Sequence, residues 1–279
     1  MAVRTAPATA GSPLVFLVLL FALSLPFWAA GALVDSRGAL PMDMPVSAFQ
    51  FVLPLVVALV LVSREEGRRG AGALVNRTLS PRGSGRRLWW LPAWLLIPAI
   101  ALLVCGLTPL TGVPLDGPHS PLTDVPVLFA VYLLTAFAEE AGWTGYLLRP
   151  LRDRWGPLGA GALLGVVWAL WHVVGWAQGG RSAPWIAGQF LSTVALRILI
   201  VRIVEGSGGI MLTAVIVHAL ANVTESVIPG FTEHAAPALL NGAIQAVVAT
   251  AVLIRRPRRP VSAGRPPAGR RPPTKDHPD

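Results

Sequence analysis

The chain contains eight apolar runs of about 20 residues each, separated by charged residues or by clusters of proline and glycine. The runs lie at about 13–34, 45–63, 88–107, 125–148, 157–178, 184–204, 209–228 and 236–254. A helix needs roughly 20 apolar residues to cross the hydrocarbon core of a bilayer, where every backbone polar group must be paired internally. The pattern therefore predicts an all-α polytopic membrane bundle of about eight transmembrane helices within residues 1–254.

The amino-acid composition agrees with lipid as the main solvent. Of the 279 residues, 53% are hydrophobic and only 13% are charged, which is about half the charged fraction of a soluble domain. A water-soluble cytosolic enzyme and a disordered scaffold are both excluded by this balance. The single Cys105 permits no intramolecular disulfide bond.

The distribution of basic residues predicts the orientation of the bundle, because cytoplasmic loops of membrane proteins are enriched in lysine and arginine. If the amino terminus lies inside, only Arg37 and Arg181 of the 23 basic residues fall on the outer side. In this count Arg197, which lies within a span, is assigned to the inner side. We therefore expect a multi-pass protein of the cytoplasmic membrane with both termini in the cytoplasm. The net charge of +9 then reflects topology and contact with anionic lipids, and we expect no nucleic-acid partner.

Residues 255–279 differ from the rest of the chain, being rich in proline and arginine and lacking any apolar periodicity. Such a composition cannot bury enough apolar surface to fold. We expect a disordered cytoplasmic tail, whose basic residues contact anionic lipid headgroups together with the basic loops.

Few ionisable or strongly polar side chains lie within the predicted spans, and each costs about 3 kcal/mol there on insertion scales, which makes it a functional candidate. They are Glu139 and Glu140 in the fourth span, His172 in the fifth, Arg197 in the sixth, and His218, Asn222 and Glu225 in the seventh. A spacing of four residues places Asn222 on the same helix face as His218, and it places Trp168 beside His172. Glu225 lies near the outer end of its span, where we expect it to be solvated.

A carboxylate, two imidazoles and a carboxamide that meet in a membrane cavity can hydrolyse a peptide bond in two ways. In the first, a carboxylate and a neutral histidine deprotonate water, while a second histidine and an asparagine donate hydrogen bonds to the oxyanion. In the second, Glu139, His172 and His218 hold a zinc ion that lowers the pKa of a bound water to about 7. The residues alone leave both mechanisms open, with zinc as the one candidate cofactor.

Three ordered motifs carry a resemblance to a known family. They are Glu139-Glu140-Ala141-Gly142-Trp143-Thr144, Trp168-Ala169-Leu170-Trp171-His172 and His218-Ala219-Leu220-Ala221-Asn222. Together they resemble the CPBP family of intramembrane proteases, also called the Abi or CAAX-protease family, whose members include the type II CAAX prenyl endopeptidases. The family pattern is Glu-Glu-x-x-x-Arg, aromatic-x-x-x-His and His-x-x-x-Asn or Asp on three helices, and the resemblance covers about residues 125–228.

The resemblance implies an intramembrane (metallo)endopeptidase that cleaves a peptide or protein substrate at the membrane. It further implies that Glu139 and His172 activate water and that His218 and Asn222 stabilise the oxyanion. Trp168, as the aromatic residue of the second motif, would support the site.

Thr144 departs from the family pattern, because it stands where the pattern has the arginine that pairs with the second glutamate. A hydroxyl donates one hydrogen bond and carries no charge. Glu140, the other supporting residue, must therefore pair with Arg149 or Arg197, or stay protonated. On this interpretation the substitution Thr144→Arg is expected to retain or raise activity.

Two other functions remain open. The missing motif arginine allows a catalytically weak or inactive family member that acts as a membrane scaffold or an immunity protein. A proton-coupled transporter would also place glutamate and histidine at the midplane of the membrane. It is less favoured, because the motifs are not repeated and the sequence has no matched pair of broken helices.

Overall fold

The computed structural model describes residues 12–36, 44–114 and 121–254, and the regular elements within these ranges are all helical. The α-helices are α1 (Pro13–Leu33), α2 (Leu53–Leu79), α3 (Trp90–Leu107), α4 (Val125–Gly142), α5 (Leu148–Gln178), α6 (Ala183–Gly206), α7 (Leu212–Val227) and α8 (Ala235–Ile254). The predicted all-α membrane bundle is confirmed. The predicted tail at 255–279, like Arg4 and Arg37, lies outside the described residues.

Each predicted apolar run corresponds to one of these α-helices. By length and composition, six helical segments in the described residues can cross a membrane, and one of them, Leu122–Gln178, contains both α4 and α5. Helix α7 is apolar but has only 16 residues. The count of eight membrane crossings therefore stays a prediction.

Helices α2 and α5 extend beyond their predicted spans because each continues across a kink at a glycine. Gly67 and Gly156 both have a φ of 70°, in the left-handed region that glycine adopts without a steric penalty. On one side of each kink lies an apolar span, and on the other side a shorter segment that carries arginines. Both kinks therefore lie close to the boundary between an apolar span and an arginine-bearing segment.

Small residues set the spacing of the helices around the polar side chains. A side chain at Gly142 of α4 would collide with the backbone oxygen of Pro54 in α2, and one at Gly165 of α5 would collide with the backbone of Val194 in α6. Close approach at small residues is how membrane helices gain packing energy in the absence of a hydrophobic drive. Helix α4 also packs against α7, and α6 packs against both α5 and α8.

Hydrogen bonds between the connecting segments define the two ends of the bundle. At one end, named the α5–α6 end, Ser47 Oγ before α2 donates to Gln178 Oε1 at 2.6 Å. At the same end Arg181 Nη1 donates to the Thr232 carbonyl at 2.6 Å, which joins the α5–α6 and α7–α8 connections.

The opposite end, named the α4–α5 end, is linked in the same way. Gly85 N donates to the Ser207 carbonyl at 3.2 Å, which joins the α2–α3 and α6–α7 connections. Arg152 Nη1 donates to Glu205 Oε1 at 3.0 Å, which joins the start of α5 to the end of α6. Successive α-helices therefore run back and forth between the two ends.

Candidate active site

The two adjacent glutamates lie in the last turn of α4, immediately before a π-helical turn at Trp143–Leu147. The wider turn leaves the Gly145 carbonyl to accept a hydrogen bond from Arg77 Nη2 at 2.9 Å. Single π-turns of this kind are frequent at functional sites. Because successive helical residues are about 100° apart, Glu139 and Glu140 point to different neighbours.

Glu139 faces α5 and meets two residues of the second motif. Its Oε2 accepts a hydrogen bond from Trp168 Nε1 at 2.8 Å and lies 4.0 Å from His172 Nε2. His172 Nδ1 lies 2.8 Å from the Trp168 carbonyl, which can only accept, so Nδ1 carries the proton of the neutral ring. Nε2 is then the basic nitrogen, and it faces Glu139 across a gap that is too long for a direct hydrogen bond.

Glu140 faces α6 and α7, and its two oxygens are both hydrogen bonded. Oε2 accepts from Thr144 Oγ1 at 2.5 Å and from Arg197 Nη1 at 2.8 Å, while Oε1 pairs with His218 Nδ1 at 3.0 Å. The sequence left three possibilities for Glu140: a pair with Arg149, a pair with Arg197, or a protonated side chain. In the structure Glu140 forms an ion pair with Arg197. Arg149 instead lies on the surface, 3.9 Å from Asp153.

Trp168 connects the surroundings of the two glutamates. Its indole N–H donates to Glu139, while the Arg197 guanidinium lies over its ring, 4.1 Å from the centroid. The His218 ring packs against it edge to face at 4.9 Å. A desolvated cation over an indole contributes about 2 kcal/mol. The supporting role that the motif implies for Trp168 therefore has a geometric basis.

A cavity of about 500 Å³ lies next to Glu139. Glu139, His172 and Asn222 border it, whereas His218 is almost fully buried and lies outside its wall. The sequence places His218 and Asn222 on one face of α7, but only Asn222 reaches the cavity. His218 is turned toward Glu140.

Glu225 borders the same cavity and accepts a hydrogen bond from Gln189 Nε2 at 2.8 Å. It is partly exposed, so its solvation stays a prediction, but its place in the cavity wall was not anticipated. Its position three residues after Asn222, on the same helix face, was the available signal. The partner Gln189 lies on α6, and no local pattern in the sequence connects the two residues.

Comparisons with known proteins match this chain to a protein family and to a curated relative. Residues 121–224 match the family model described as type II CAAX prenyl endopeptidase Rce1-like. All three motifs lie within the matched residues. The resemblance to the CPBP family is confirmed. A curated relative, CAAX prenyl protease 2 of Methanococcus maripaludis, is 27% identical over 169 residues, which are 58% of this chain and 61% of the relative.

The chain thus spans about three fifths of the length of the curated relative that it matches. The match to a membrane-protease family and the long apolar helices together support an integral membrane protein. The matched residues begin just before α4 and end within α7. They include α4, which carries the two glutamates, together with α5, α6 and most of α7.

The three proposed zinc ligands do not converge on one point. Within residues 12–36, 44–114 and 121–254, no group of three His, Cys, Asp or Glu side chains is placed to hold a metal ion. Glu139 and His172 border the cavity, whereas His218 lies outside its wall with Nδ1 paired to Glu140. The arrangement does not fit a three-ligand zinc site, and no step of the proposed reaction uses one.

Proposed function

We propose that the protein is an intramembrane endopeptidase that hydrolyses a peptide bond of a membrane-associated peptide or protein. The observation that carries the proposal is the facing pair of Glu139 Oε2 and His172 Nε2, 4.0 Å apart at the wall of the cavity. A separation of this size suits two groups that share one water molecule, each accepting one of its protons.

In the proposed reaction, Glu139 and His172 orient this water and take its proton as it attacks the carbonyl carbon of the substrate. General-base assistance of this kind contributes about 10²–10⁴ in rate. The proton then passes to the leaving nitrogen and the C–N bond breaks, which gives an amine and a carboxylic acid that loses its remaining proton to the amine or to solvent. The Trp168 indole N–H, bonded to Glu139 Oε2 at 2.8 Å, holds the carboxylate in place.

Asn222 supplies the second requirement, a donor for the oxyanion. It borders the same cavity as Glu139, and its carboxamide can donate to the negative oxygen of the tetrahedral intermediate. His218, which the family motif implies as a second donor, would act in this conformation through Glu140. We propose that it helps to hold Glu140 and thereby the end of α4.

The relative's name states that it is a CAAX prenyl protease. For this chain we propose the broader class of membrane-associated peptides, because the cavity wall is mainly aromatic and aliphatic and carries no feature specific to a lipid-modified cysteine. We further propose that the arginine-rich α4–α5 end contacts anionic lipids.

The purified protein, incubated in liposomes with a panel of membrane-anchored peptides, tests the proposal. Glu139→Gln and His172→Ala should each lower the cleavage rate by at least about 100-fold. Asp153→Asn, on the exposed surface of the α4–α5 end, is the matched control and should cleave as the wild type does. Equal cleavage by the wild type, Glu139→Gln and His172→Ala would contradict the proposal, and an inert wild type would favour the scaffold alternative.

A further inference from the structure

The cavity beside Glu139 extends to the α5–α6 end of the bundle. Its wall includes Pro45 and Phe49 before α2, Arg181 between α5 and α6, and Thr232 between α7 and α8. These residues come from three connecting segments that meet at that end. Phe49 has half of its surface exposed, so the cavity has its mouth there.

Toward the α4–α5 end the cavity is closed by buried side chains. Glu140, Arg197 and Trp143 have no exposed surface, and Thr144 is almost fully buried. The ion pair between Glu140 and Arg197 and the π-turn at Trp143–Leu147 fill the space between the cavity and that end. Of the two ends of the bundle, only the mouth therefore offers a way in for a substrate.

The arginines are distributed unequally between the two ends. Eleven arginines lie between residues 64 and 87, between 149 and 154, and at position 202, all toward the α4–α5 end. In the described part of the chain, only Arg181 lies at the mouth. Because basic residues are retained on the cytoplasmic side, the α4–α5 end faces the cytoplasm and the mouth faces outward.

We infer that the site receives its substrate from the extracytoplasmic side of the membrane. The inference rests on the proposed function and narrows its substrate class. The substrate is a peptide segment that emerges from the outer leaflet, or lies against it, and enters the mouth in an extended conformation. A carboxy-terminal segment that stays in the cytoplasm does not reach this mouth.

The depth of the site sets the length of the segment. His172 lies six residues before the end of α5 at Gln178, which is about 9 Å at the helical rise of 1.5 Å per residue. An extended chain advances about 3.3 Å per residue, so roughly three residues must enter before the scissile bond reaches His172. The aromatic wall that they pass, including Phe49, Trp176 and Phe231, favours apolar side chains.

Cysteine accessibility tests the direction of entry without requiring catalysis. In a Cys105→Ala background, single cysteines are placed at the mouth by Phe49→Cys, inside the cavity by Thr135→Cys, and at the α4–α5 end by Ser84→Cys. Intact spheroplasts and inverted vesicles are treated with a small thiol-reactive thiosulfonate, which carries a sulfonate group and therefore does not cross the membrane. We expect Phe49→Cys and Thr135→Cys to react at least about tenfold faster in spheroplasts, and Ser84→Cys to react at least about tenfold faster in inverted vesicles.

Reaction of Thr135→Cys from inverted vesicles alone, or from neither side while Phe49→Cys reacts, would overturn the inference. Val131→Cys, at a second position on the cavity wall, replaces Thr135→Cys if that variant does not accumulate in the membrane. A second arm places one cleavable segment on the outer or the inner side of a single-span anchor, and we expect cleavage only of the outer form. Outward labelling with no cleavage of either form would refute the proposed protease and leave the direction of entry standing.

Discussion

Arg197 Nη1 of α6 donates a hydrogen bond to Glu140 Oε2 of α4 at 2.8 Å, and neither side chain has any exposed surface. The CPBP pattern supplies this positive charge four residues after the second glutamate, a position that here lies in the π-helical turn following α4. Here the neighbouring helix supplies it, and Thr144 at the motif position adds a hydrogen bond to the same oxygen. The departure at Thr144 is therefore offset within the site.

Moving the positive charge from Arg197 back to position 144 tests this relationship. Arg197→Met leaves Glu140 buried without a cation, and breaking a buried pair in this way costs about 3–5 kcal/mol. Thr144→Arg alone places a second guanidinium within reach of the first, so we now expect lower activity, in contrast to the expectation from the motif. The double variant Thr144→Arg/Arg197→Met should recover most of both losses.

Thermal unfolding in detergent and the cleavage rate measure these effects. The control is Arg202→Met, which removes a partly exposed arginine from the same helix and should change either value little. If the losses of stability and activity in the double variant equal the sum of the losses in the two single variants, Arg197 does not replace the motif arginine.

The two polar residues of α7 should respond differently to truncation. Asn222→Ala removes only a cavity side chain, so kcat should fall by about 100-fold or more while the unfolding temperature changes little. His218→Ala removes the partner of Glu140 Oε1 and should lower both the activity and the unfolding temperature. Kinetics and unfolding of the purified variants decide the matter, and an equal loss of stability in both would argue against separate roles.

Metal chelation tests the choice between the two hydrolytic mechanisms. Because the candidate ligands point to other partners, we expect cleavage to persist after treatment with a chelator and the purified protein to contain well under one equivalent of zinc. Elemental analysis and chelator titration measure this. Zinc near one equivalent, lost together with activity in His218→Ala, would support metal hydrolysis instead.

The contact between α2 and α4 should limit the size of residue 142. A methyl group at Gly142 would collide with the Pro54 backbone, whereas one at Gly72 of α2 would meet nothing within 4 Å. Gly142→Ala should therefore lower the free energy of unfolding by about 1–3 kcal/mol, and Gly72→Ala should be neutral or raise it by up to about 1 kcal/mol. Unfolding of both variants is the measurement, and equal stabilities would exclude a tight crossing there.

Several features could be predicted from the sequence, because each depends on residues that are close together in the chain. The α-helices follow from apolar runs of sufficient length, and the three motifs lie within single helices. The cost of placing Glu139, His172 and Asn222 in an apolar environment singles them out without any knowledge of their neighbours.

Other features depend on which helices become neighbours, and only the packed bundle decides that. Arg197 lies 57 residues from Glu140, and the sequence offered Arg149 as an equal partner. The close approach of α6 at Gly165 brings Arg197 to Glu140, while Arg149 remains at the surface. The same packing turns His218 away from the cavity and brings Glu225 into its wall, because a helix face acquires its environment only from the helices that cover it.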